Sequence, residues 1–280
     1  MACELCDGTG WRPVERDGVR RVERCECWRT GLTAKLLADA RIPPQYEKCD
    51  LDRFQDYNDS LVEAVRRARR FIEQIPSRQK GLLLIGPPGV GKTHLAVAIL
   101  KEAINRANVR GLFFETTKLL SAIRNTYNPV VRTTAFEVIR PVMEAELLVL
   151  DDLGAERLTD WVDETMNLIV NTRYTESRPT VFTTNYPLVT PPQSPAEALR
   201  ERIGVRVFSR LHEMCDFVSI EHCVDYRELG PDATPRELAE LQRRGSASHR
   251  DPAKRPRSMA KAKLPTGQLD LGWTGGKAGT

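Results

Sequence analysis

Eight consecutive residues, Gly86, Pro87, Pro88, Gly89, Val90, Gly91, Lys92 and Thr93, carry the spacing G-x-x-x-x-G-K-T, whose chemistry is phosphate binding. Backbone N–H groups of such a loop point into one concavity and hold phosphate oxygens. Gly89 and Gly91 remove the Cβ atoms that would keep the main chain at a distance. Lys92 is placed to reach β- and γ-phosphates, and the Thr93 hydroxyl to ligate Mg²⁺. His94 follows in the same turn and joins the candidate nucleotide-contacting set. An ordinary Gly/Pro turn is the bland alternative; Lys92-Thr93 directly behind an apolar run decides against it. A second set begins at Asp151 and Asp152, which follow four aliphatic residues. Paired carboxylates in that position are costly without a metal or a basic partner. Asp151 suits a Mg²⁺ shell, and Asp152 suits orienting and deprotonating an attacking water. Asn185 ends a later apolar run, where an amide can position that water without adding charge.

These groups need elements to hold them. Residues 82–85 read as a buried strand, and Leu95, Val97, Ala98 and Leu100 mark a helix opened by Lys92 and Thr93. Short apolar strands are predicted at 111–115, 147–150, 180–185 and 217–220, with helices near 117–127, 134–144, 161–174 and 196–203. Strands alternating with amphipathic helices predict an α/β fold whose parallel sheet is covered on both faces. A further helix, 60–75, places Leu61, Val65, Ala68, Phe71, Ile72 and Ile75 on one side, with Arg66, Arg67, Arg69 and Arg70 on a solvated face. Arg202, Arg206 and Arg210 recur at four-residue spacing and predict one shared helical face.

At the amino end, Cys3, Cys6, Cys25 and Cys27 pair across a short charged spacer. Four thiolates at this spacing suit tetrahedral Zn²⁺, and metal binding would provide most of the folding energy of so short a segment. The second pair is C-x-C rather than C-x-x-C; an iron–sulfur cluster and four unrelated cysteines stand as alternatives. Cys49, Cys215 and Cys223 read as small buried or half-buried residues. Residues 33–54 read as a connector, with 42–46 extended because of Pro43 and Pro44, and with Leu51 and Phe54 capping the core.

The chain has 280 residues, of which 41% are hydrophobic and 29% charged, as in a globular protein. No apolar run approaches the ~20 residues of a membrane span. The first residues lack a secretion-signal pattern, so the expected compartment is the cytoplasm, with reduced cysteines and no membrane partner. The net charge of +4 is unevenly spread: from Arg243 onward nine cations face only Asp251 and Asp270. Residues 245–280 are rich in Pro, Gly, Ser, Ala and Lys and read as disordered, after one short helix near 235–244.

The phosphate loop, the 147–154 run with its Asp-Asp, Thr183-Thr184-Asn185, Phe208-Ser209-Arg210-Leu211 and Asp225-Tyr226-Arg227, in this order, resemble the AAA+ ATPases of the DnaC/DnaI helicase-loader and IstB transposition-helper group. The resemblance covers about residues 43–227 and implies a sheet of order 5-1-4-3-2, with the Asn185 strand between the phosphate-loop and Asp151 strands. It implies that Asn185 is sensor 1, that Arg210 is an arginine finger reaching a neighbouring subunit's ATP, and that Arg227 is sensor 2. Asp152 stands where many relatives carry Glu, and the helical lid after the last strand is almost absent. The resulting division is a zinc-binding module (1–30), a connector (31–58), an AAA+ ATPase domain (59–228) and a basic tail (229–280). The implied activity is hydrolysis of ATP by a ring- or spiral-forming homo-oligomer that loads a replicative DNA helicase and engages single-stranded DNA. An IstB-type transposition helper and a non-hydrolysing DNA- or protein-binding adaptor are the alternatives.

Overall fold

Between Cys6 and Cys25, where the pattern predicts only a charged spacer, the chain forms an antiparallel hairpin of β1 (Trp11–Arg16) and β2 (Val19–Arg24). A computed structural model describes residues 3–241, apart from 8, 17, 76, 78, 79, 131, 191–196, 222, 229–233 and 235. The hairpin escapes a periodicity reading because most of its side chains on both faces are wet and charged. Cys25 then stands at the N-cap position of α1 (Glu26–Asp39), which passes through the start of the expected connector without a break. Thr33 donates to the Asn108 side chain at 2.7 Å and Arg29 to the Arg106 carbonyl at 3.2 Å, so α1 is seated on the body of the protein. The expected extended run at 42–46 is corrected: Pro44–Tyr46 is a 3₁₀ turn. Proline at a first helical position lacks only an N–H that would be unpaired there, and its φ suits the turn.

Helix α2 (Asp59–Glu73) is capped by Asn58, whose side chain accepts from Leu61 N at 2.9 Å. There follow β3 (Gly81–Ile85), α3 (Lys92–Ala107), β4 (Gly111–Glu115), α4 (Thr116–Asn125), α5 (Ala135–Glu144), β5 (Leu147–Asp151), α6 (Asp160–Thr175) and β6 (Thr180–Thr184). The last elements are α7 (Leu199–Ile203), α8 (Val205–Met214) and β7 (Cys215–Ser219), the strand lying slightly earlier than the apolar pattern places it. Strands β3 to β7 form one parallel sheet in the order β4-β5-β6-β3-β7. Counted from the phosphate-loop strand this is 5-1-4-3-2, the order the resemblance implies. Every residue of β3, β5 and β6 is buried, as expected of central strands covered on both sides. The pleat divides β3 between two cores: Leu82 and Leu84 pack with α2 and α3, while Leu83 and Ile85 pack with α4, α5, α6 and α8.

The predicted common face of Arg202, Arg206 and Arg210 does not form. Gly204 adopts φ +80° and ends α7, so Arg202 belongs to one helix and the other two arginines to the next. Arg173 on α6 is only 1% exposed. It donates to the carbonyls of Val142, Met143, Ala145 and Pro179 and to the Thr180 hydroxyl, tying the end of α5 to the start of β6. Helical structure recurs over 236–241, where Leu238 is buried, while residues 242–280, including most of the basic tail, lie outside the described residues.

Candidate functional site

The phosphate loop leaves β3 at Gly86 and enters α3 at Lys92, as the motif requires. Gly89 and Gly91 take φ +78° and +90°, a region that only glycine visits without strain. A Cβ on Gly89 would fall 1.8 Å from Asp225 Oδ1, and Tyr226 N donates to the Gly89 carbonyl at 3.0 Å. The segment after β7 is thereby strapped against the loop. Pro87 and Pro88 are exposed on the loop rim, while Val90 is buried beneath it. Lys92 is 6% exposed and donates to the Pro87 carbonyl at 2.7 Å. Burial pushes its ammonium down to about 8, against the opposing pull of Asp151 and Asp152. A buried cation held by a loop carbonyl, with two acids nearby, is placed to receive a multiply charged anion. His94 meets the Asp50 carbonyl at 3.0 Å and packs edge-on against Phe54, so it braces the connector over the loop.

Across the groove, the Asp151 carboxylate accepts from Thr93 Oγ1 at 2.8 Å and from Thr183 Oγ1 at 2.7 Å, both on Oδ1. A hydroxyl and a carboxylate in contact are the hard oxygen donors that Mg²⁺ takes, so the pair fits that ion. Burial raises the pKa of Asp151, an effect the two hydroxyl hydrogen bonds oppose. Asp152 is raised too, chiefly by burial and against the attraction of Lys92. Its backbone sits at φ +57°, sparsely populated outside glycine, and its N–H donates to Thr183 Oγ1 at 2.9 Å. Asn185 Nδ2 donates to Asp152 Oδ1 at 2.7 Å. Lys92, Thr93, Asp151, Asp152 and Asn185 therefore form one cluster at the carboxyl ends of β3, β5 and β6.

Arg227 lies on a 3₁₀ turn, Tyr226–Glu228, close enough for its charge to act on Lys92 and on Tyr46. Arg210 points elsewhere. Its guanidinium lies 5.3 Å from the ring centre of Tyr174 on α6, and its buried Nε has no hydrogen-bond partner among the described residues. Tyr174 in turn donates to Glu213. Arg202 is spent on structure, donating to the carbonyls of Gly154, Ala155 and Glu156 and pairing with Glu197 at 3.0 Å.

At the other end of the chain, the Sγ atoms of Cys3, Cys6, Cys25 and Cys27 all lie within 4.8 Å of one another. Cys3 and Cys25 are 3.7 Å apart and Cys6 and Cys27 3.3 Å. A tetrahedron with Zn–S bonds of about 2.3 Å has edges of about 3.8 Å, so the set fits zinc. We expect the purified protein to carry about one zinc per chain under reducing, zinc-replete conditions. Metal analysis finding none would remove the centre. Chelation is expected to unfold this end alone and to leave nucleotide binding intact, because none of the four cysteines belongs to the sheet.

Residues 26–225 match the profile of the family described as "IstB-like ATP binding protein". The chain belongs to that family. IstB-like proteins are ATP-binding, and this member is 26% identical over 170 residues to the replicative helicase loader DnaC of Escherichia coli K12, covering 61% of its own length. It spans less than two thirds of the first curated relatives it matches, 65% in the case of that DnaC. Among solved structures, the DnaC helicase loader is 34% identical with a TM-score of 0.56, over 64% of this chain and all of that one. The DnaI structure is 28% identical with a TM-score of 0.54, over 64% of this chain and 95% of that one. The IstB-like match and these two likenesses place the chain in the DnaC/IstB-like AAA+ family, in agreement with the sequence resemblance. Among the described residues, no helix is long and apolar enough to cross a membrane.

Some site residues of this IstB-like chain escape a sequence reading. Thr116 donates to the Asp151 carbonyl at 2.8 Å, and Thr184 to the Leu153 carbonyl at 2.8 Å. Glu115 pairs in register with Asp151 and raises the pKa of both acids. Tyr46 is raised by burial and then by Asp151, which brings the 3₁₀ turn to the same site. The available signal for the threonines was their place at the end of a buried apolar strand, where a hydroxyl needs a partner.

Proposed function

We propose that this IstB-like chain binds ATP with Mg²⁺ and hydrolyses it as a replication accessory protein. In this reading it assembles into an open ring or spiral, engages single-stranded DNA, and loads or remodels a hexameric replicative helicase. The observation that carries the proposal is a set of three hydrogen bonds at the carboxyl ends of the central strands: Thr93 and Thr183 on Asp151, and Asn185 on Asp152. Lys92 and the loop amides would hold the phosphates, Thr93 and Asp151 would hold Mg²⁺, and Arg227 would add charge from the strap. Mg²⁺ would neutralise charge on the β- and γ-phosphates. Asp152, held by Asn185, takes a proton from water as its oxygen attacks the γ-phosphorus and the bond to the bridging oxygen breaks, releasing ADP and phosphate. Arg210 completes the site of a neighbouring subunit. The division into a module at 1–30, a connector at 31–58, an ATPase domain at 59–228 and a basic tail at 229–280 belongs to the same proposal, with zinc in the module and the module as the grip on the helicase. The cytoplasm is the compartment proposed.

The likeness to DnaC and DnaI supports the loader reading, and the description of the family profile supports the transposition helper as a second one. Measured ATP turnover separates them. Stimulation by single-stranded DNA and by a replicative helicase is expected of a loader, whereas stimulation by duplex DNA beside a transposase is expected of the helper. Absence of turnover under every condition would leave the non-hydrolysing adaptor.

A further inference from the structure

The hairpin sorts its side chains by face. Its register places Trp11 opposite Arg24, Pro13 opposite Val22 and Glu15 opposite Arg20. Cross-strand partners share a face, and all six of these residues are exposed. Helix α1 adds Trp28 beside them. The Arg24 guanidinium carbon lies 4.3 Å from the ring centre of Trp11 and 4.5 Å from that of Trp28. The indoles are 45% and 46% exposed, so each keeps open surface next to the cation it touches. The ion pair on the hairpin joins Arg16 to Glu23 at 3.3 Å, which leaves Arg20, Arg21 and Arg24 without a carboxylate partner among the described residues.

Open indole faces and unpaired arginines on one small surface have two natural occupants. A protein partner would be served by a continuous apolar patch, but Arg24 lies between the two indoles of this one, and Glu15 and Arg20 close its far end. A single strand of nucleic acid brings both complements at once, since every base has a π-face and every link a phosphate. We infer that Trp11, Arg20, Arg24 and Trp28 form a stacking platform for single-stranded nucleic acid, with bases on the indoles and phosphates on the arginines. This rests on the proposed single-stranded DNA partner and assigns it a surface on the cysteine module, apart from the Lys92–Asp152 site.

The test is fluorescence anisotropy of a labelled thymidine oligonucleotide of about 20 nucleotides, long enough for more than one OB-sized site, titrated with the full chain. Joint Trp11→Ala and Trp28→Ala substitution is expected to weaken binding by about 5- to 150-fold for each stacked base lost. Joint Arg20→Ser and Arg24→Ser substitution should lower the slope of log affinity against log salt by about 0.7 for each phosphate contact removed. Zinc content monitors the fold of the module; should the tryptophan variant lose metal, the arginine variant decides. An abasic oligonucleotide of equal length is expected to bind more weakly than the thymidine strand, and equal binding would overturn the stacking. DNA affinity and salt slope unmoved in both variants would overturn the platform, and loss of helicase binding in those same variants would assign the face to a protein. Turnover of ATP without DNA is expected to be unchanged in both, and its measurement keeps the outcome separate from that of the ATPase proposal: a chain that hydrolyses no ATP sinks the latter alone.

Discussion

Lys92→Ala is expected to abolish tight ATP binding, whereas Asp152→Asn is expected to bind ATP and lose turnover. The lysine is the buried cation of the site, and the amides that remain carry only partial charge against a triphosphate. Charge-assisted hydrogen bonds of about 1.5–3 kcal/mol each make the expected loss on the order of 10- to 100-fold or more. In the proposed mechanism the aspartate acts later. General-base catalysis contributes about 10²- to 10⁴-fold, and that is the expected loss of turnover rate in Asp152→Asn. The substitution is also structurally mild. Asparagine tolerates the left-handed backbone that Asp152 occupies at φ +57°, and its amide oxygen can still accept from Asn185. Binding measured with a fluorescent ATP analogue, together with phosphate release, checks both parts. Equal loss of binding in the two variants would refute the division of roles.

The second large effect concerns assembly. Arg210 packs over Tyr174 and is not among the principal charges that act on Lys92 or Asp152. In the proposed ring a lone subunit lacks a transition-state cation, and hydrolysis is expected to rise faster than linearly with protein concentration. Arg210→Ala should bind ATP normally while losing about 10³- to 10⁵-fold in turnover, the contribution of arginine fingers generally. Mixing Arg210→Ala with Lys92→Ala subunits should restore part of the activity, because one supplies an intact phosphate loop and the other an intact finger. Flat specific activity and a dead mixture would mean that Arg210 acts within its own chain, leaving the ring without its main support.

Within this chain, the sequence alone determined what depends on neighbours along the backbone. The strand–loop–helix around Lys92 is visible because glycine spacing, four consecutive apolar residues and helical periodicity all fall within one short window. Asp151-Asp152 stands out for the same reason, as does the succession of buried strands that became β3 to β7. The four cysteines were legible as a set, although the hairpin between them was not, because strands wet on both sides carry no apolar alternation. Tertiary structure alone decided which groups serve the acids. Thr183 is 32 residues from Asp151, and it reaches that carboxylate only because β6 lies beside β5 in the sheet. The same neighbour relation gives Asp152 its Asn185. Gly204 separates Arg202 from Arg210 by ending a helix at φ +80°, which four-residue spacing could not reveal. Helical and strand periods follow from backbone sterics and local burial and so are written along the chain. Hydrogen bonds between strand ends depend on strand order, which long-range packing sets.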